Sequence, residues 1–384
     1  MKKILLALTM VLILASVSAC GTKDGGNSSL IIGFNFDLSG LGASYGQVES
    51  KGAKLALKLY NEAGGFNGEK VAFKEYDGAS DEGEAYRVQT VLATEDKVFG
   101  IVGSTLSGTS VSSVRASGEH KVPTVSPSAT ADSVTNDGSK GKPFGYRVCF
   151  ADSFQGVTMA NFASNDLNFK NVAILADSTS DYAKGLTSFF SNQLEKNGGK
   201  VVETAYYVGG DTDFNTVLTS IRAMKDVDAL FIPGYYGEVG LIIKQARELG
   251  IDLPILGVDG FESPELVNLA GAKNLNNVYY SNHYSDSLSS PEREAFVAAY
   301  KKEYNEAPNG FAALAFDATN LMLDALNRAN EADPLKVNDA IRQTKDLKTV
   351  TGTVSIDEFH NAVKSAVVIE LIDGVDARST LVNP

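Results

Sequence analysis

Tryptophan is absent from the 384 residues, and cysteine and histidine are scarce, with two and three copies. The histidines are His120, His283 and His360, and the cysteines are Cys20 and Cys149. A Cys/His zinc site of the usual spacing cannot be assembled from residues so far apart. The same scarcity disfavours an enzyme, because acid–base and nucleophilic chemistry most often uses histidine. We therefore expect neither a metal nor a cofactor.

Basic residues are also under-represented, with 34 Lys and Arg against 47 Asp and Glu and a net charge of −13. Nucleic-acid binding needs a basic surface, so the composition excludes that class of partner. Hydrophobic residues make up 43% and charged residues 21% of the chain, which are ordinary values for a folded, soluble protein. One hydrophobic core usually organises about 250–300 residues, so the length predicts two lobes.

The only apolar run near the start of the chain, residues 4–17, is shorter than the roughly 20 residues that a spanning helix needs. It follows Lys2 and Lys3 and ends in small residues before Cys20, which is the pattern of a secretory signal. A cysteine in that place is typical of a bacterial lipobox, where its thiol is acylated. We predict a lipoprotein signal peptide at 1–19 and a flexible Gly/Ser-rich tether at 20–29. The protein would then be anchored by lipid at Cys20, outside the cytoplasm.

Short β-rich runs alternate with helical periods through most of the remaining chain. The predicted strands are 30–36, 71–76, 98–102 and 122–125, and then 172–176, 201–208, 229–232 and 255–258. Such alternation predicts an α/β fold with parallel sheets, here two doubly wound lobes. The last third differs, with helices predicted at 292–304, 311–329 and 335–342. Strands 353–356 and 367–371 are predicted to form a terminal β pair.

Ligands of open α/β sheets bind beyond the carboxyl ends of the strands, so the segments that follow the strands indicate the site. In the first half these segments carry hydroxyls, including Ser107, Ser128 and Thr130. We expect Ser107 to cap the next helix, whose free N–H groups would bind a carboxylate, with Thr130 as a second contact. In the second half Asp259 follows a strand and could pair with an ammonium group. The tyrosines that follow the strands there, which would form an apolar wall with polar tips, are Tyr182, Tyr235 and Tyr236.

One motif points in another direction, because residues 42–46 spell G-x-S-x-G, the nucleophile-elbow pattern of esterases. An elbow lies directly at a strand end, whereas here five residues separate the motif from the predicted strand. No histidine precedes His120 to form an HGGG-type oxyanion segment. We therefore interpret residues 38–46 as a loop at the lip of the ligand site, with Ser44 capping the following helix.

Several short motifs, in order along the chain, resemble the substrate-binding lipoproteins of ABC importers for branched-chain amino acids, which have the type I periplasmic-binding fold. The motifs are Ile32-Gly33, Leu38-Ser39-Gly40, Asn61-Glu62-Ala63-Gly64-Gly65, Tyr76-Asp77, Val102-Gly103, Ser126-Pro127-Ser128-Ala129-Thr130, Tyr146-Arg147, Gln155-Gly156, Asp181-Tyr182 and Gly234-Tyr235-Tyr236. The resemblance covers nearly all of the chain after the tether. It implies capture of an L-amino acid between two closing lobes and its delivery to a membrane permease. We expect the binding protein to be a monomer.

The resemblance also implies roles for individual residues. Ser107 and Thr130 match positions that hold the carboxylate and the ammonium, assisted by the backbone at Leu106 and Ser128. Asp259 falls where the family usually has a Glu. Further contacts would come from Tyr182, from Tyr235 or Tyr236, and from two pocket-wall positions, Tyr45 and Tyr284.

In this fold the chain crosses between the lobes three times, and we place the crossings near 147–151, 277–281 and 348–352. Lobe 1 would then comprise 28–149 and 279–349, and lobe 2 would comprise 150–278 and 350–384. The family's disulfide, found in some Gram-negative members between positions that match Ser80 and Leu106, is missing here.

The nature of the ligand stays open at this point. Asp259 is one methylene shorter than Glu, and no Lys or Arg follows the strand ends. An aliphatic amino acid such as Leu, Ile or Val is therefore favoured over an acidic one. The alternatives are a protein that binds another small solute, such as an amide, a short organic acid or an aromatic compound, and a ligand-binding sensor.

Overall fold

A computed structural model of the protein describes residues 30–285 and 288–383. The predicted signal peptide, the tether and Cys20 lie outside the described residues. The structure contains two lobes, each built on its own β-sheet with helices on both faces. Within the described ranges, no helix has the length and apolar content needed to cross a membrane.

Lobe 1 is built on a five-stranded sheet in which every neighbouring pair is parallel, in the order β2-β1-β3-β4-β5. Its strands are β1 (Ile31–Phe36), β2 (Ala72–Asp77), β3 (Gly100–Gly103), β4 (Thr124–Ser126) and β5 (Gly145–Arg147). Its helices are α1 (Ala43–Glu62), α2 (Glu82–Thr94), α3 (Ser107–His120), α9 (Pro291–Tyr304), α10 (Gly310–Ala329) and α11 (Pro334–Arg342). The core of lobe 1 lies between this sheet and α1 and α10, where the strands present fully buried side chains such as Phe34 and Val102.

Lobe 2 is built on a seven-stranded mixed sheet in the order β15-β14-β10-β9-β8-β6-β7. Its strands are β6 (Asn171–Asp177), β7 (Lys200–Tyr207), β8 (Ala229–Phe231), β9 (Ile255–Gly257), β10 (Val278–Asn282), β14 (Ala366–Ile372) and β15 (Val375–Val382). Its helices are α4 (Asp152–Asn161), α5 (Asp181–Lys196), α6 (Asn215–Arg222), α7 (Tyr236–Glu248) and α8 (Pro264–Ala270). The strands from β6 to β10 pair in parallel, and the antiparallel strands β14 and β15 extend the sheet beyond β10.

The C-terminal strands differ from the predicted terminal pair. The strand predicted at 353–356 is β12 (Gly352–Ile356), which forms a small antiparallel sheet with β11 (Leu347–Thr349) and β13 (Ala362–Val363). The strand predicted at 367–371 is β14, which pairs with β10 and β15. The two predicted strands therefore do not contact each other as a ladder, because each finds a partner in a different sheet.

Two of the crossings between the lobes lie at other positions than predicted. Residues 278–282 form β10 within the second sheet, so the chain leaves lobe 2 after Asn282, not at 277–281. It returns after β13, close to Lys364, because residues 347–363 form the small sheet before β14 begins. Pairing between distant strands decides both points.

Glycine explains the esterase-like motif. A Cβ atom at Gly46 would lie 2.2 Å from the carbonyl oxygen of Asp37, so only glycine lets α1 pack directly against the end of β1. Helix α1 begins at Ala43 after Gly42, which makes Ser44 a residue of its first turn and not the predicted cap. The motif is a packing feature of the helix start.

Candidate functional site

A small cavity lies between the two lobes, at the carboxyl ends of β3, β4, β8 and β9. In both sheets the strand order reverses close to this point, between β1 and β3 and between β6 and β8. This is the position where open α/β sheets bind their ligands. The residues lining the cavity from lobe 1 are Tyr45, Thr105, Leu106, Ser107, Ser128, Thr130 and Phe311, and those from lobe 2 are Tyr182, Tyr235, Asp259 and Gly260.

The N-terminus of α3 forms one end of the cavity. The helix begins at Ser107, and the N-cap position belongs to Leu106, which has no capping side chain. The prediction that Ser107 caps α3 is therefore wrong: its hydroxyl accepts a hydrogen bond from the backbone N–H of Ala131 at 3.2 Å. The Leu106 N–H donates to the buried Asp37 carboxylate at 3.0 Å, which holds the loop before the helix in place. A helix N-terminus with this orientation provides N–H groups and a positive dipole end for an anion.

Thr130 is held at the cavity by a buried cation. The fully buried Arg147 on β5 donates from Nη1 to the carbonyl oxygens of Ala129 and Ala131, at 3.0 and 2.9 Å. Its other guanidinium nitrogens donate to side-chain oxygens of Thr135 and Asn361. The loop after β4 is thereby fixed on both sides of Thr130, with that side chain buried at the cavity wall.

Asp259 supplies the negative charge at the other end of the cavity and is only 3% exposed. One carboxylate oxygen accepts from the hydroxyl of Tyr182, and the other lies 3.2 Å from Nε2 of His283. Burial lowers the pKa of His283 to about 4, so this imidazole is neutral near pH 7. Among the described residues, His283 is the sole ion-pair candidate for Asp259, so the carboxylate has no cationic partner within the structure. A ligand ammonium group would supply that partner.

Aromatic rings form the wall between these two ends. Tyr45 stacks on Phe311, with ring centroids 4.3 Å apart, and Tyr182 stacks on Tyr235 at 4.9 Å. Burial raises the pKa of the Tyr182 and Tyr235 hydroxyls above its ordinary value, so both remain neutral. The wall therefore offers apolar surface with uncharged polar tips.

Tyr45 also joins the two lobes. Its hydroxyl donates to the carbonyl oxygen of Gly260 and accepts the backbone N–H of Tyr236 at 3.1 Å. Tyr236 does not line the cavity; its ring packs edge-on against Tyr45, with centroids 5.0 Å apart. Tyr45 thus contributes both to the wall and to the contact between the lobes.

Two further hydrogen bonds cross between the lobes beside the cavity. The hydroxyls of Ser44 and Ser263 lie 2.7 Å apart. The N–H of Gly310, at the start of α10, donates to the carboxyl group of Glu262 at 2.8 Å. Burial raises the pKa of Glu262 to about 8. Together with Tyr45, these contacts describe two lobes closed over the cavity.

Comparison with known proteins identifies the family. A family model described as "Periplasmic binding protein" matches residues 29–375. The chain belongs to the periplasmic binding protein family. It is a two-lobed solute-binding protein with the type I fold that the family resemblance implied.

Three relatives of this periplasmic binding protein illustrate its similarity to amino-acid-binding members. The structure superposes with a TM-score of 0.87 on the branched-chain amino acid transporter substrate-binding protein LivJ from Streptococcus pneumoniae in complex with isoleucine, at 39% identity, covering 92% of this chain and 99% of that one. The leucine-binding protein LivK from Thermotoga maritima gives a TM-score of 0.86 at 33% identity, with the same coverage. A leucine-, isoleucine-, valine-, threonine- and alanine-binding protein of Pseudomonas aeruginosa is 28% identical over 317 residues, 82% of each chain.

The periplasmic-binding structure brings together most of the residues singled out from the sequence. The predicted site residues that line the cavity are Tyr45, Leu106, Ser107, Ser128, Thr130, Tyr182, Tyr235 and Asp259. Tyr284 does not line it: this side chain packs with Phe296 and Tyr300 of α9, and the Arg293 guanidinium lies over its ring.

Sequence reasoning missed Phe311, Thr105 and Gly260 on the cavity wall, and His283 beside Asp259. Thr105 and Gly260 follow strands and could have been found by the same rule as their neighbours. Phe311 lies in an apolar helical period, where a cavity residue and a core residue give the same pattern. Among the described residues, no group of three or more Asp, Glu, His or Cys side chains is placed to hold a metal ion.

Proposed function

We propose that this protein captures an L-α-amino acid with an aliphatic side chain, Leu, Ile or Val first, for delivery to the permease of an ABC importer. The observation that carries the proposal is the position of Asp259. This buried carboxylate, without a cationic partner among the described residues, faces the N-terminus of α3 across one small cavity. An α-amino acid brings an ammonium to the first group and a carboxylate to the second.

The remaining wall favours an apolar side chain. No lysine or arginine is among the described residues that line the cavity, and Asp259 is its one acid. An acidic ligand side chain would have no cation there, and a buried charge without a partner is strongly unfavourable. Tyr45, Phe311 and Leu106 offer apolar surface instead. The names of the Streptococcus, Thermotoga and Pseudomonas relatives support the same ligand class.

A thermal-shift screen against the twenty amino acids, followed by calorimetry, tests the proposal. We expect leucine, isoleucine or valine to give the largest stabilisation. Two leucine analogues then separate the ends of the site: leucinamide lacks the carboxylate, and 4-methylpentanoate lacks the ammonium. Both should bind far more weakly than leucine. Tight binding of 4-methylpentanoate, or of benzoate, would instead indicate an importer or sensor for organic acids.

We further propose that the mature protein begins at an acylated Cys20 and is a monomer tethered to the outer face of the membrane. The support is the apolar run 4–17 and the small residues before Cys20. Mass spectrometry of protein extracted from membranes should find lipid on this cysteine. The Cys20→Ala variant should be released or misprocessed, and should still bind the ligand. Processing at another position would contradict the anchor.

A further inference from the structure

Glu49 of α1 joins the two loops that form the carboxylate end of the cavity. Its side chain is fully buried. One carboxyl oxygen, Oε2, lies 2.5 Å from the hydroxyl of Thr105, after β3, and the other, Oε1, lies 2.5 Å from the hydroxyl of Ser128, after β4. Both hydroxyl residues line the cavity. A single acid beneath the site therefore connects the loop before α3 to the loop that carries Thr130.

The hydrogen bonds around Glu49 need one more proton than the two hydroxyls supply. The Ser128 hydroxyl has one proton but lies within reach of two acceptors, Glu49 Oε1 and the carbonyl oxygen of Thr105 at 2.9 Å. The Thr105 hydroxyl accepts the N–H of Asp37 at 3.1 Å, so its own proton can go to Glu49 Oε2. Every group is satisfied if Ser128 donates to the Thr105 carbonyl and a protonated Glu49 donates to Ser128.

We propose that Glu49 is a positioning residue for ligand binding: its neutral carboxyl group orders the Thr105 and Ser128 loops, and loss of its proton weakens binding of the ligand carboxylate. This inference rests on the proposed function, since it requires a ligand that carries a carboxylate at the N-terminus of α3. An ionised Glu49 would break one of the two Ser128 contacts. It would also place a negative charge close to the site that binds the negatively charged carboxylate of the ligand.

The surroundings of Glu49 support a retained proton. Burial raises the pKa of Glu49 to about 8, and the nearby Asp37 acts in the same direction, while the hydroxyls of Ser128 and Thr105 oppose the shift. Asp37 itself has a pKa raised to about 6 by burial. On α10, which packs along α1, the buried Asp317 accepts from the N–H groups of Val350 and Thr351.

On α9, Glu303 and Glu306 are partly exposed and pair with lysines of α1, while the buried Arg293 lies over the Tyr284 ring and donates to the Ser285 carbonyl oxygen. The acid that faces Glu49 is therefore Asp37, and the loops after β3 and β4 present hydroxyls to it. A ligand carboxylate would raise the pKa of Glu49 further, so binding should take up a proton near pH 8.

The test compares the parent protein with Glu49→Gln, whose amide can donate to Ser128 and accept from Thr105 but cannot ionise. Leucine affinity is measured by calorimetry at about pH 7 and about pH 9. We expect the affinity of the parent to fall on the order of tenfold more than that of Glu49→Gln, from the repulsion of two charges at close range. Titration of the ligand ammonium and of the other buried acids is common to both proteins and cancels in this comparison.

Proton uptake gives a second readout that a merely structural role would not change. At about pH 8, leucine binding is measured in buffers of different ionisation enthalpy. The parent should take up more protons than Glu49→Gln. The variant Glu262→Gln removes the other buried acid with a pKa near 8 and keeps Glu49, so its uptake should persist. If Glu49→Gln fails to fold, proton uptake by the parent and by Glu262→Gln still tests the proposal.

The outcomes separate the two proposals. If leucine binds to the parent and to Glu49→Gln with the same pH profile and the same proton uptake, the role of Glu49 is overturned. The proposed function is not affected by that result. Absence of proton uptake in both the parent and Glu262→Gln overturns the role of Glu49 as well. A parent protein that binds no amino acid at about pH 7 overturns the proposed function, and this inference with it.

Discussion

Replacing Asp259 with asparagine removes the charge at the ammonium end of the cavity and keeps the shape of the side chain. The variant amide can still accept a hydrogen bond from the Tyr182 hydroxyl through its oxygen. Its NH₂ group would face His283 Nε2, which accepts once the imidazole proton moves to Nδ1. Since His283 is neutral near pH 7, this tautomer change adds no charge. Because Nδ1 is buried and has no hydrogen-bond partner in the structure, the moved proton stays unpaired, and the variant should fold with about 1–3 kcal/mol less stability than the parent.

The expected loss of affinity follows from the burial of Asp259. Its carboxylate is 3% exposed and has no cationic partner among the described residues, so the ligand ammonium would be its only counter-charge. Breaking one partner of such a buried, hydrogen-bonded charge pair costs about 2–5 kcal/mol. At 1.4 kcal/mol per factor of ten, this is on the order of 30- to 4000-fold in the dissociation constant.

A cycle of four calorimetric titrations isolates the interaction. The parent and Asp259→Asn are each titrated with leucine and with 4-methylpentanoate, which lacks the ammonium. The substitution should weaken the binding of leucine strongly and that of 4-methylpentanoate little or not at all, because the interaction is between the Asp259 carboxylate and the ligand ammonium. Equal losses for both ligands, or leucine binding as tight as in the parent, would refute the reasoning.

Four further predictions concern lobe closure, stability and the α3 end of the cavity. Tyr45→Phe removes the hydroxyl that contacts Gly260 and Tyr236. At about 1 kcal/mol for each hydrogen bond, the loss of one or both should raise the leucine dissociation rate roughly 5- to 30-fold in stopped-flow experiments, and an unchanged rate would contradict the contact between the lobes. Leucine should reduce the radius of gyration in small-angle scattering, because hinge closure draws the lobes together, and identical profiles at saturation would count against closure. Glu262 has a pKa raised to about 8 by burial, so the protonated form is favoured in the fold and its contribution to stability is lost as pH rises. Between about pH 6.5 and 8, above the range in which His283 titrates, the unfolding temperature of the parent should fall more than that of Glu262→Gln, and the opposite order would show that Glu262 is exposed. Ser107→Ala should cost about 1–2 kcal/mol in leucine affinity, less than Asp259→Asn, because the backbone N–H groups of α3 remain. Calorimetry of the two variants checks this order, and a larger loss in Ser107→Ala would contradict it.

The local pattern of the sequence was sufficient for most strands and long helices and for most of the cavity wall, although it did not predict β5, β10 or β15. Alternation of β-rich runs with helical periods is a local property, and it located β1, β6 and α10 within one or two residues of their observed bounds. The carboxyl ends of parallel strands share one edge of a sheet, so residues that follow different strands meet there whatever the details of packing. That rule alone brought Ser107, Thr130 and Asp259 to one cavity.

Only the tertiary structure decided how distant segments pair and which buried groups support the site. The partner of β14 is β10, almost 90 positions earlier in the chain, and no local signal distinguishes this pairing from one with β12. Phe311 lines the cavity and Tyr284 does not, although both are aromatic residues in apolar surroundings, because helix packing sets which side of each segment faces the cavity. Glu49 shows the limit most clearly: an acid in an amphipathic helix predicts a solvated position, and only the approach of two loops from other strands makes it a buried acid with two hydroxyl partners.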